Sequence, residues 1–190
     1  MSDLELTRFS DNNADIVLKW RNSERIRKNM LDDSIIKRVA HLNFLKNVNS
    51  DGSREYFVVK LGKIPVATLY FTGLGSSEVT WGCYIGTEKM IPGLFVALAI
   101  IAIEYSFGYL TTNVLISEVA KHNPTPAKLN RFLGIPETAK LTRLTSNGQC
   151  IDFIEYQVVR KQHEDVILKA TKILPNHMKI SIKKLLWSGK

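Results

Sequence analysis

The sequence has few of the residues that mark a metalloprotein, a disulfide-stabilised protein or a membrane protein. Two cysteines, Cys83 and Cys150, and four scattered histidines occur among its 190 residues. Neither cysteine lies in a CxxC motif or a metal-ligand spacing, so we expect reduced thiols, as in a cytoplasmic protein, and no metal site. The longest apolar run, 94–103, has ten residues, whereas a membrane span needs about 20. Asp3 and Glu5 stand where a signal peptide would have a basic start, so we expect no leader.

The formal net charge of +8 predicts either an anionic partner or a basic tail. Much of the excess is local, because four of the last twelve residues are lysines: Lys179, Lys183, Lys184 and Lys190. The phosphates of a coenzyme or of a sugar nucleotide would suit this charge as well as a polyanion. Aromatic residues are interleaved with apolar rather than basic ones, which argues against a nucleic-acid partner.

The periodicity of apolar residues predicts one central sheet flanked by helices. The order is β-α-α-β-β-β-α-β-α-β-β, typical of an α/β or α+β domain. Turn signals at Gly62-Lys63 and at Ser146-Asn147-Gly148 predict two hairpins. The predicted strands are 3–9, 55–61, 65–72, 78–86, 113–120, 140–145 and 151–159, and the predicted helices begin near Asp11, near Ser34 (with Ile35, Val39 and Leu42 on one face), at Gly93 and at Pro126.

We expect one domain over residues 1–160 and a basic, amphipathic, helical extension over 161–190. Pro175 divides this extension into two short pieces. We favour docking of the extension on its own domain or on a second subunit, as in a homodimer. Peripheral contact with a membrane surface is the alternative.

A strand, a loop and a helix follow one another over residues 79–107, with the helix beginning at Pro92-Gly93. A helix N-terminus offers unpaired N–H groups and the positive end of the dipole, which suits a pyrophosphate. Gly93 would let the backbone approach a ligand closely. On physics alone this signal is weak, because many such units bind nothing.

The order of elements, the polar strand exit 118–123 and the helix end 131–135 together resemble the GNAT superfamily of N-acyltransferases over residues 3–159. The resemblance implies a single domain with a twisted, mostly antiparallel sheet and helices on both faces. It also implies that the fourth and fifth strands splay apart, and that the pantetheine of acetyl-CoA or another short acyl-CoA lies between them. The cofactor-binding residues that it implies are Ile85, Gly86, Thr87, Ile91, Pro92, Gly93, Leu94, Asn123, Lys128 and Arg131, with the thioester oxygen held by N–H groups of 85–87.

Two departures from the family pattern affect the expected chemistry. The pyrophosphate loop, 89–95, has one glycine where the family has two small residues. Asn130 stands where the family often has the tyrosine that protonates the leaving thiolate. An asparagine donates a hydrogen bond but is not a practical proton donor, so water or another side chain would have to serve.

The N-terminal half is similar to the amino-sugar branch of this superfamily, and most similar to enzymes that N-acetylate the 4-amino group of a UDP-linked dideoxy sugar in pseudaminic acid synthesis. The similarity rests on the motifs at 20–22, 26–30 and 41–42. It implies a nucleotide-linked amino-deoxysugar acceptor, in the synthesis of O-antigen, lipopolysaccharide or other glycan precursors. The substrate-binding residues expected are Arg21, Asn22, Arg27, Trp81 and Tyr84.

Direct attack of a neutral amine on the thioester is the expected mechanism. His41 could take the ammonium proton because its reference pKa is near 6.5. Glu118 is expected to act as a base or acceptor ligand. Cys83 has no nearby histidine in the sequence, which argues against an acyl-enzyme. Each assignment has a structural alternative: His41 and Tyr84 could be core residues, Glu118 a solvated strand residue.

Three other functions stay open at this stage. The acceptor could be a protein N-terminus, a polyamine or an antibiotic. The chain could also be a GNAT-fold binding module without activity, which the single-glycine loop and Asn130 would suit. A basic nucleic-acid binder is disfavoured.

Overall fold

The computed structural model of the protein describes residues 3–145 and 148–187. Strands and helices alternate much as predicted, with the helices concentrated before β2, between β4 and β6, and after β7. The elements are β1 (Leu4–Arg8), α1 (Asp11–Asn22), α2 (Glu24–Arg27), α3 (Arg38–Ser50), β2 (Arg54–Leu61), β3 (Ile64–Thr72), β4 (Glu78–Ile85), α4 (Leu94–Glu104, continued by a π-helical turn at Tyr105–Tyr109), β5 (Val114–Ala120), α5 (Pro124–Leu133), β6 (Glu137–Leu144), β7 (Cys150–Val159), α6 (His163–Ile173) and α7 (Asn176–Trp187).

The seven strands form one sheet in the order β1-β2-β3-β4-β5-β7-β6. Neighbouring strands are antiparallel except β4 and β5, which are parallel. The predicted fold class, a mixed and mostly antiparallel sheet with helices on both faces, is therefore confirmed. The parallel pair requires a crossover connection, and α4 provides it.

Each face of the sheet has its own hydrophobic core. On one face α4, α6 and α7 cover side chains such as Val79 and Leu115. On the other face α1 and α3 pack over Val58, with Val17 and Leu45 at the centre of that contact. Because side chains alternate along a strand, a residue's position in β4 or β5 decides which of these two environments it meets.

The extension after β7 contributes to the larger core. Val166 and Ala170 of α6 and Met178 and Ile182 of α7 are buried in the same cluster as α4. Burial on both sides explains why α4 is apolar all round, since a helix that is hydrophobic on every face needs partners on every face.

The second predicted helix begins four residues later than expected. Ile35 and Val39, predicted to point inward, are 68% and 71% exposed, and α3 begins at Arg38. The Asn22 side chain accepts from the Ile36 N–H at 2.8 Å and donates to the Ile36 carbonyl at 2.9 Å. Both backbone groups of Ile36 are thus paired outside a helix, which excludes it from α3. The short helix α2 was not predicted.

The second predicted hairpin is present in the pairing of β6 with β7. Its turn residues Ser146 and Asn147 lie outside the described residues. Over residues 3–145 and 148–187, no helix combines the length and apolarity that crossing a bilayer demands. The same ranges contain no group of three or more histidine, cysteine or acidic residues placed to hold a metal ion.

Candidate active site

A gap opens in the middle of the sheet where β4 and β5 separate. The two strands pair only between Glu78–Thr80 and Val114–Ile116. Beyond that point β4 continues to Ile85 and β5 to Ala120 without pairing to each other. The gap forms a cleft of about 340 Å³, bounded by both strands, by α4 and α5, and by α2.

The cleft connects the two faces of the sheet. Trp81 and Cys83 pack towards the α4 core, whereas Tyr84 packs towards the core under α1 and α3. On β5, Val119 belongs to the α4 core, so Glu118 points to the opposite face, with Tyr84. The sequence placed Trp81 and Tyr84 in one acceptor cleft, and the structure separates them by face, although both line the gap.

Glu118 is the acidic residue of the cleft lining. Its carboxylate accepts from Arg143 of β6, with Nε 3.0 Å from Oε2 and Nη2 bonded to Oε1. A carboxylate has about four lone-pair sites. Each oxygen therefore keeps one site for a ligand, and the bidentate pair fixes the carboxylate orientation.

Arg25 of α2 holds the end of β4. Its Nη1 donates to the Ile85 carbonyl and its Nη2 to the Gly86 carbonyl, both at 3.0 Å. The guanidinium thus links α2 to the end of β4 and lines the cleft. Arg25 was not among the predicted site residues.

The predicted thioester-binding donors are only partly available. The N–H groups of Gly86 and Thr87 both donate to the Val66 carbonyl, at 2.9 and 3.1 Å. The expectation that they would be unpaired is therefore wrong, because β3 pairing extends past the end of β4. Ile85 precedes Gly86, and N–H groups of consecutive residues in an extended strand point to opposite edges. The Ile85 N–H therefore points away from β3, towards the gap.

The N-terminus of α4 retains free donors for an anion. Leu94 N–H donates to the Ile91 carbonyl at 3.2 Å, and the Ala97 N–H to the Gly93 carbonyl at 2.8 Å. The N–H groups of Phe95 and Val96 lie in the first turn, where a helix has no internal acceptor for them. These two donors can hold a phosphate group.

Gly93 has a different function from the predicted one. It has φ +79°, and a β-carbon on it would lie 2.5 Å from Cδ of Pro175, between α6 and α7. The space beside this glycine is thus filled by the protein's own extension rather than left for a ligand.

The remaining predicted coenzyme residues differ in position. Asn123 lines the cleft at the start of α5. Pro92, Lys128 and Arg131 are exposed, the last two on α5. Ile91 packs against the α4 core. This leaves the exposed cations free to meet a phosphate.

Asn130 lies on α5, is 6% exposed and lines the cleft. Its amide makes no hydrogen bond to any other residue in 3–145 or 148–187. A buried amide that faces a cleft without a protein partner is available to a ligand.

We compared the sequence and the structure with those of known proteins. No family model matches the sequence. The chain is 28% identical over 129 residues to the acetyltransferase PseH of Campylobacter jejuni, a match that spans 66% of this chain and 80% of that protein. The structure resembles the spermidine N-acetyltransferase of Vibrio cholerae, solved with CoA and spermine, with TM-score 0.77, 17% identity and coverage of 85% of this chain and 98% of that one.

It also resembles C. jejuni PseH in complex with acetyl coenzyme A, with TM-score 0.61, 21% identity and coverage of 83% of this chain and 99% of that one. The chain therefore has the GNAT acyltransferase fold, and its sequence is similar to that of an acetyltransferase. The splayed strands and the free α4 N-terminus are the two features of the GNAT fold that the resemblance implied.

His41 is not part of the GNAT cleft. It is 4% exposed and packs between α3 and α1, where Nε2 lies 3.1 Å from the Ala14 carbonyl. Its ring is stacked with Phe44, with 6.4 Å between centroids. Burial lowers the pKa of His41. The structural alternative, a hydrogen-bonded core histidine, describes this position, and the position does not support the predicted base.

Arg21, Asn22 and Arg27, which were predicted to bind substrate, form hydrogen bonds with the backbone of residues 32–36. Arg21 and Arg27 donate to the carbonyls of Asp32 and Asp33, and Asn22 pairs with the Ile36 backbone. These contacts order the segment between α2 and α3. One guanidinium nitrogen of Arg21, Nη1, is buried without a hydrogen-bond partner in the described structure.

Arg25 and Tyr70 line the cleft and were not among the predicted site residues. Arg25 lies between the motifs at 20–22 and 26–30, two residues before the predicted Arg27, and no periodicity signal distinguishes it. Tyr70 reads as an ordinary strand residue. Its neighbour across the strand pair is Gly82, and an aromatic residue opposite a strand glycine was the available signal.

Proposed function

We propose that this protein transfers an acetyl or other short acyl group from acyl-CoA to the amine of a nucleotide-linked amino-deoxysugar. The product would enter the synthesis of a surface glycan, such as an O-antigen or lipopolysaccharide. The observation that supports this most directly is the cleft between β4 and β5, which joins the free N–H groups of α4 to Glu118 on the opposite face.

In this proposal acyl-CoA enters from the α4 side. The pyrophosphate meets the N–H groups of Phe95 and Val96, and the exposed Lys128 and Arg131 of α5 are the candidate cations for the phosphates. Pantetheine occupies the gap, and the Ile85 N–H is the candidate donor to the thioester oxygen. A donor in place before the reaction stabilises the developing oxyanion without reorganisation.

The acceptor amine approaches from the opposite face, beside Tyr84 and Glu118. We assign Glu118 as the base, because it is the carboxylate that lines the cleft and its orientation is fixed by Arg143. Attack is direct. Burial raises the pKa of Cys83 to about 12, so its thiol is protonated at neutral pH and is a poor nucleophile.

The similarity to PseH supports an amino-sugar acceptor, and the likeness to spermidine N-acetyltransferase raises a polyamine as the second candidate. The charges of the cleft favour the sugar. Among the described residues that line it, Glu118 is the acidic one and is paired with Arg143, while Arg25 is a cation. A polyamine with several positive charges would find little compensation there.

The proposal also covers the setting of the reaction. We place the protein in the cytoplasm, where both substrates are made and where Cys83 and Cys150, free in this structure, would stay reduced. The buried face of the extension is used within the chain, so the proposal requires neither a homodimer nor contact with a membrane.

A thiol-release assay tests this function. Purified protein and acetyl-CoA are mixed with a UDP-linked 4-amino-4,6-dideoxy sugar, with spermidine, or with a peptide that has a free N-terminus. We expect turnover with the sugar nucleotide that exceeds the others by at least tenfold in kcat/KM. Preference for spermidine or the peptide would overturn the acceptor assignment.

Coenzyme binding is measured separately by thermal unfolding. A ligand that binds only the folded state stabilises it by about 2.7 kcal/mol at 100 times its Kd, so a saturating acetyl-CoA concentration should raise Tm. Absence of any Tm increase, together with no thiol release, would indicate a GNAT-fold module without coenzyme.

A further inference from the structure

Tyr70 of β3 reaches across β4 to the cleft. It pairs with Gly82, and a β-carbon at residue 82 would lie 2.2 Å from the Tyr70 hydroxyl oxygen and 2.3 Å from Cζ. The tyrosine side chain therefore lies on the strand at the point where every other residue would place its own side chain. The glycine allows the hydroxyl to reach the edge of the gap.

The ring of Tyr70 is held in place from the side. It stacks on Tyr56 with 5.0 Å between centroids and 12° between planes, and Phe44 meets Tyr56 edge-on at 5.3 Å. A phenol fixed by packing loses little freedom when it acts on a ligand.

The Tyr70 hydroxyl has no hydrogen-bond partner among residues 3–145 and 148–187, yet it lines the cleft. Its electrostatic neighbours are Tyr56, Cys83, Tyr84 and Glu118. Burial raises the pKa of Tyr70 above its ordinary value, so the phenol keeps its proton at neutral pH. The cleft thus holds a phenol near the proposed base, and none of the described residues accepts a hydrogen bond from its hydroxyl.

We propose that Tyr70 is the catalytic acid of this enzyme, donating its hydroxyl proton to the sulfur of the leaving coenzyme. The inference rests on the proposed function. It supplies the proton donor that Asn130 cannot be, and it does so from β3 rather than from α5.

The proton balance closes within the cleft. The amine nitrogen bonds to the thioester carbon, the C–S bond breaks, and its electron pair goes to sulfur. Glu118 takes the proton lost by nitrogen, and Tyr70 gives its proton to the thiolate, which leaves as the free thiol. The proton on Glu118 then passes to the Tyr70 phenolate, directly or through one water. This last step is downhill, because a carboxylic acid is a stronger acid than a phenol.

The test compares Tyr70→Phe with Tyr56→Phe, which removes a hydroxyl from the same stack but outside the cleft lining. With acetyl-CoA and the UDP-linked 4-amino sugar, we expect Tyr70→Phe to lower kcat by about 10² or more. Both KM values should stay within twofold, and Tyr56→Phe should keep wild-type kcat. A kcat within threefold of wild type for Tyr70→Phe, or a loss confined to KM, would overturn the proposal.

The double variant Glu118→Gln/Tyr70→Phe tests whether the two groups act together in one proton-transfer sequence. Groups that act as a unit are strongly non-additive, so the double variant should lose little more than the worse single variant. A fold-decrease in kcat equal to the product of the two single fold-decreases would contradict this coupling.

Gly82→Ala is a second test, because the added methyl group should displace the Tyr70 phenol without removing its hydroxyl. We expect a loss of kcat similar to that of Tyr70→Phe, whereas Gly52→Ala, whose β-carbon would meet nothing within 4 Å, should be neutral. An active Gly82→Ala would overturn the inference.

An arm without acceptor separates this inference from the proposed function. Slow hydrolysis of acetyl-CoA also needs a proton on the thiolate, and Tyr70→Phe should slow it at least tenfold relative to Tyr56→Phe. If wild type hydrolyses acetyl-CoA but acylates no sugar, the acceptor assignment fails while this comparison still decides on Tyr70. If wild type does not bind acetyl-CoA, both proposals fail.

Discussion

The indole of Trp20 occupies the place beside Gly86 where any other residue would carry its β-carbon. That β-carbon would lie 1.9 Å from Cδ2 of Trp20. Arg25, just after α1, donates to the Gly86 carbonyl. The N-terminal helices are therefore joined to the end of β4 by a close packing contact and a hydrogen bond at one residue. Both contacts lie at the rim of the cleft.

Gly86→Ala should therefore destabilise the fold. The added methyl group must displace Trp20, and overpacking of this kind costs about 1–3 kcal/mol. Urea unfolding of Gly86→Ala and Gly52→Ala would measure the difference, since residue 52 has open space around it. Equal unfolding midpoints for the two variants would contradict the close contact.

Gly93→Ala should weaken coenzyme binding as well as stability. The φ of +79° is unfavourable for a residue with a side chain, by about 1–2 kcal/mol, and the methyl group would meet Pro175. Relief of either strain moves the first turn of α4, which carries the proposed phosphate donors. Calorimetric titration with acetyl-CoA should show at least a fivefold higher Kd.

The comparison for Gly93 is Gly108→Ala, at a glycine with nothing within 4 Å of its β-carbon position. Residue 108 follows α4 at its far end, within the π-helical turn Tyr105–Tyr109. Its substitution should leave the acetyl-CoA Kd unchanged. A wild-type Kd for Gly93→Ala would show that the α4 N-terminus does not hold the coenzyme.

Glu118→Gln should lower kcat by about 10²–10⁴, the usual contribution of a general base. The amide keeps the size of the carboxylate and can still accept from Arg143, but it cannot take a proton. Steady-state kinetics with saturating acetyl-CoA would measure the loss.

The matched control is Glu155→Gln on β7, the residue paired with Glu118 in the sheet. Glu155 accepts from Thr138 at 2.7 Å and from Gln157 at 2.9 Å and does not line the cleft. It should keep wild-type kcat. Comparable losses in both variants would assign the effect to the strand pair rather than to the base.

His41→Gln should change the pH dependence of stability and leave kcat within threefold of wild type. Burial lowers the pKa of His41 from 6.5, so the unfolded chain binds this proton more readily than the folded one. The contribution of His41 to stability is then complete above about pH 6.5 and is lost as the pH falls through the folded-state pKa.

Urea unfolding of wild type between pH 5 and 8 should show this loss below pH 6.5, and His41→Gln should lack it. His177→Gln, at an exposed histidine of α7, should behave as wild type. A large fall in kcat for His41→Gln with unchanged stability would restore His41 as a candidate base.

Much of the fold could be predicted because its signals are local. Alternation in β2 and β3, the apolar run of α4 and the glycine that ends α5 depend on neighbours in the chain, and their predicted bounds lie close to the observed ones. The start of α3 was predicted wrongly because Asn22, fourteen residues before Ile36, pairs with its backbone. Such a distant contact leaves no periodic trace.

The candidate site also has a part that the sequence could predict and a part that depends on distant contacts. Glu118, Asn130 and Tyr84 line the cleft, as the motifs implied. The glycines were harder to interpret, because a sequence shows that a residue has no side chain and does not show what fills the space. Trp20 fills it at Gly86, and Pro175 fills it at Gly93.

By itself the sequence determined the order of the strands and of the longer helices between them, the buried character of α4 and the position of Asn130 where the superfamily often has tyrosine. These depend on residue type and spacing along the chain. Only the tertiary structure decided that His41 is enclosed between two helices, that Gly86 and Thr87 donate to Val66, and that Tyr70 reaches the cleft across Gly82. Each of these features depends on contacts between residues that are far apart in the sequence. Such contacts form only when the helices pack on the two faces of the sheet.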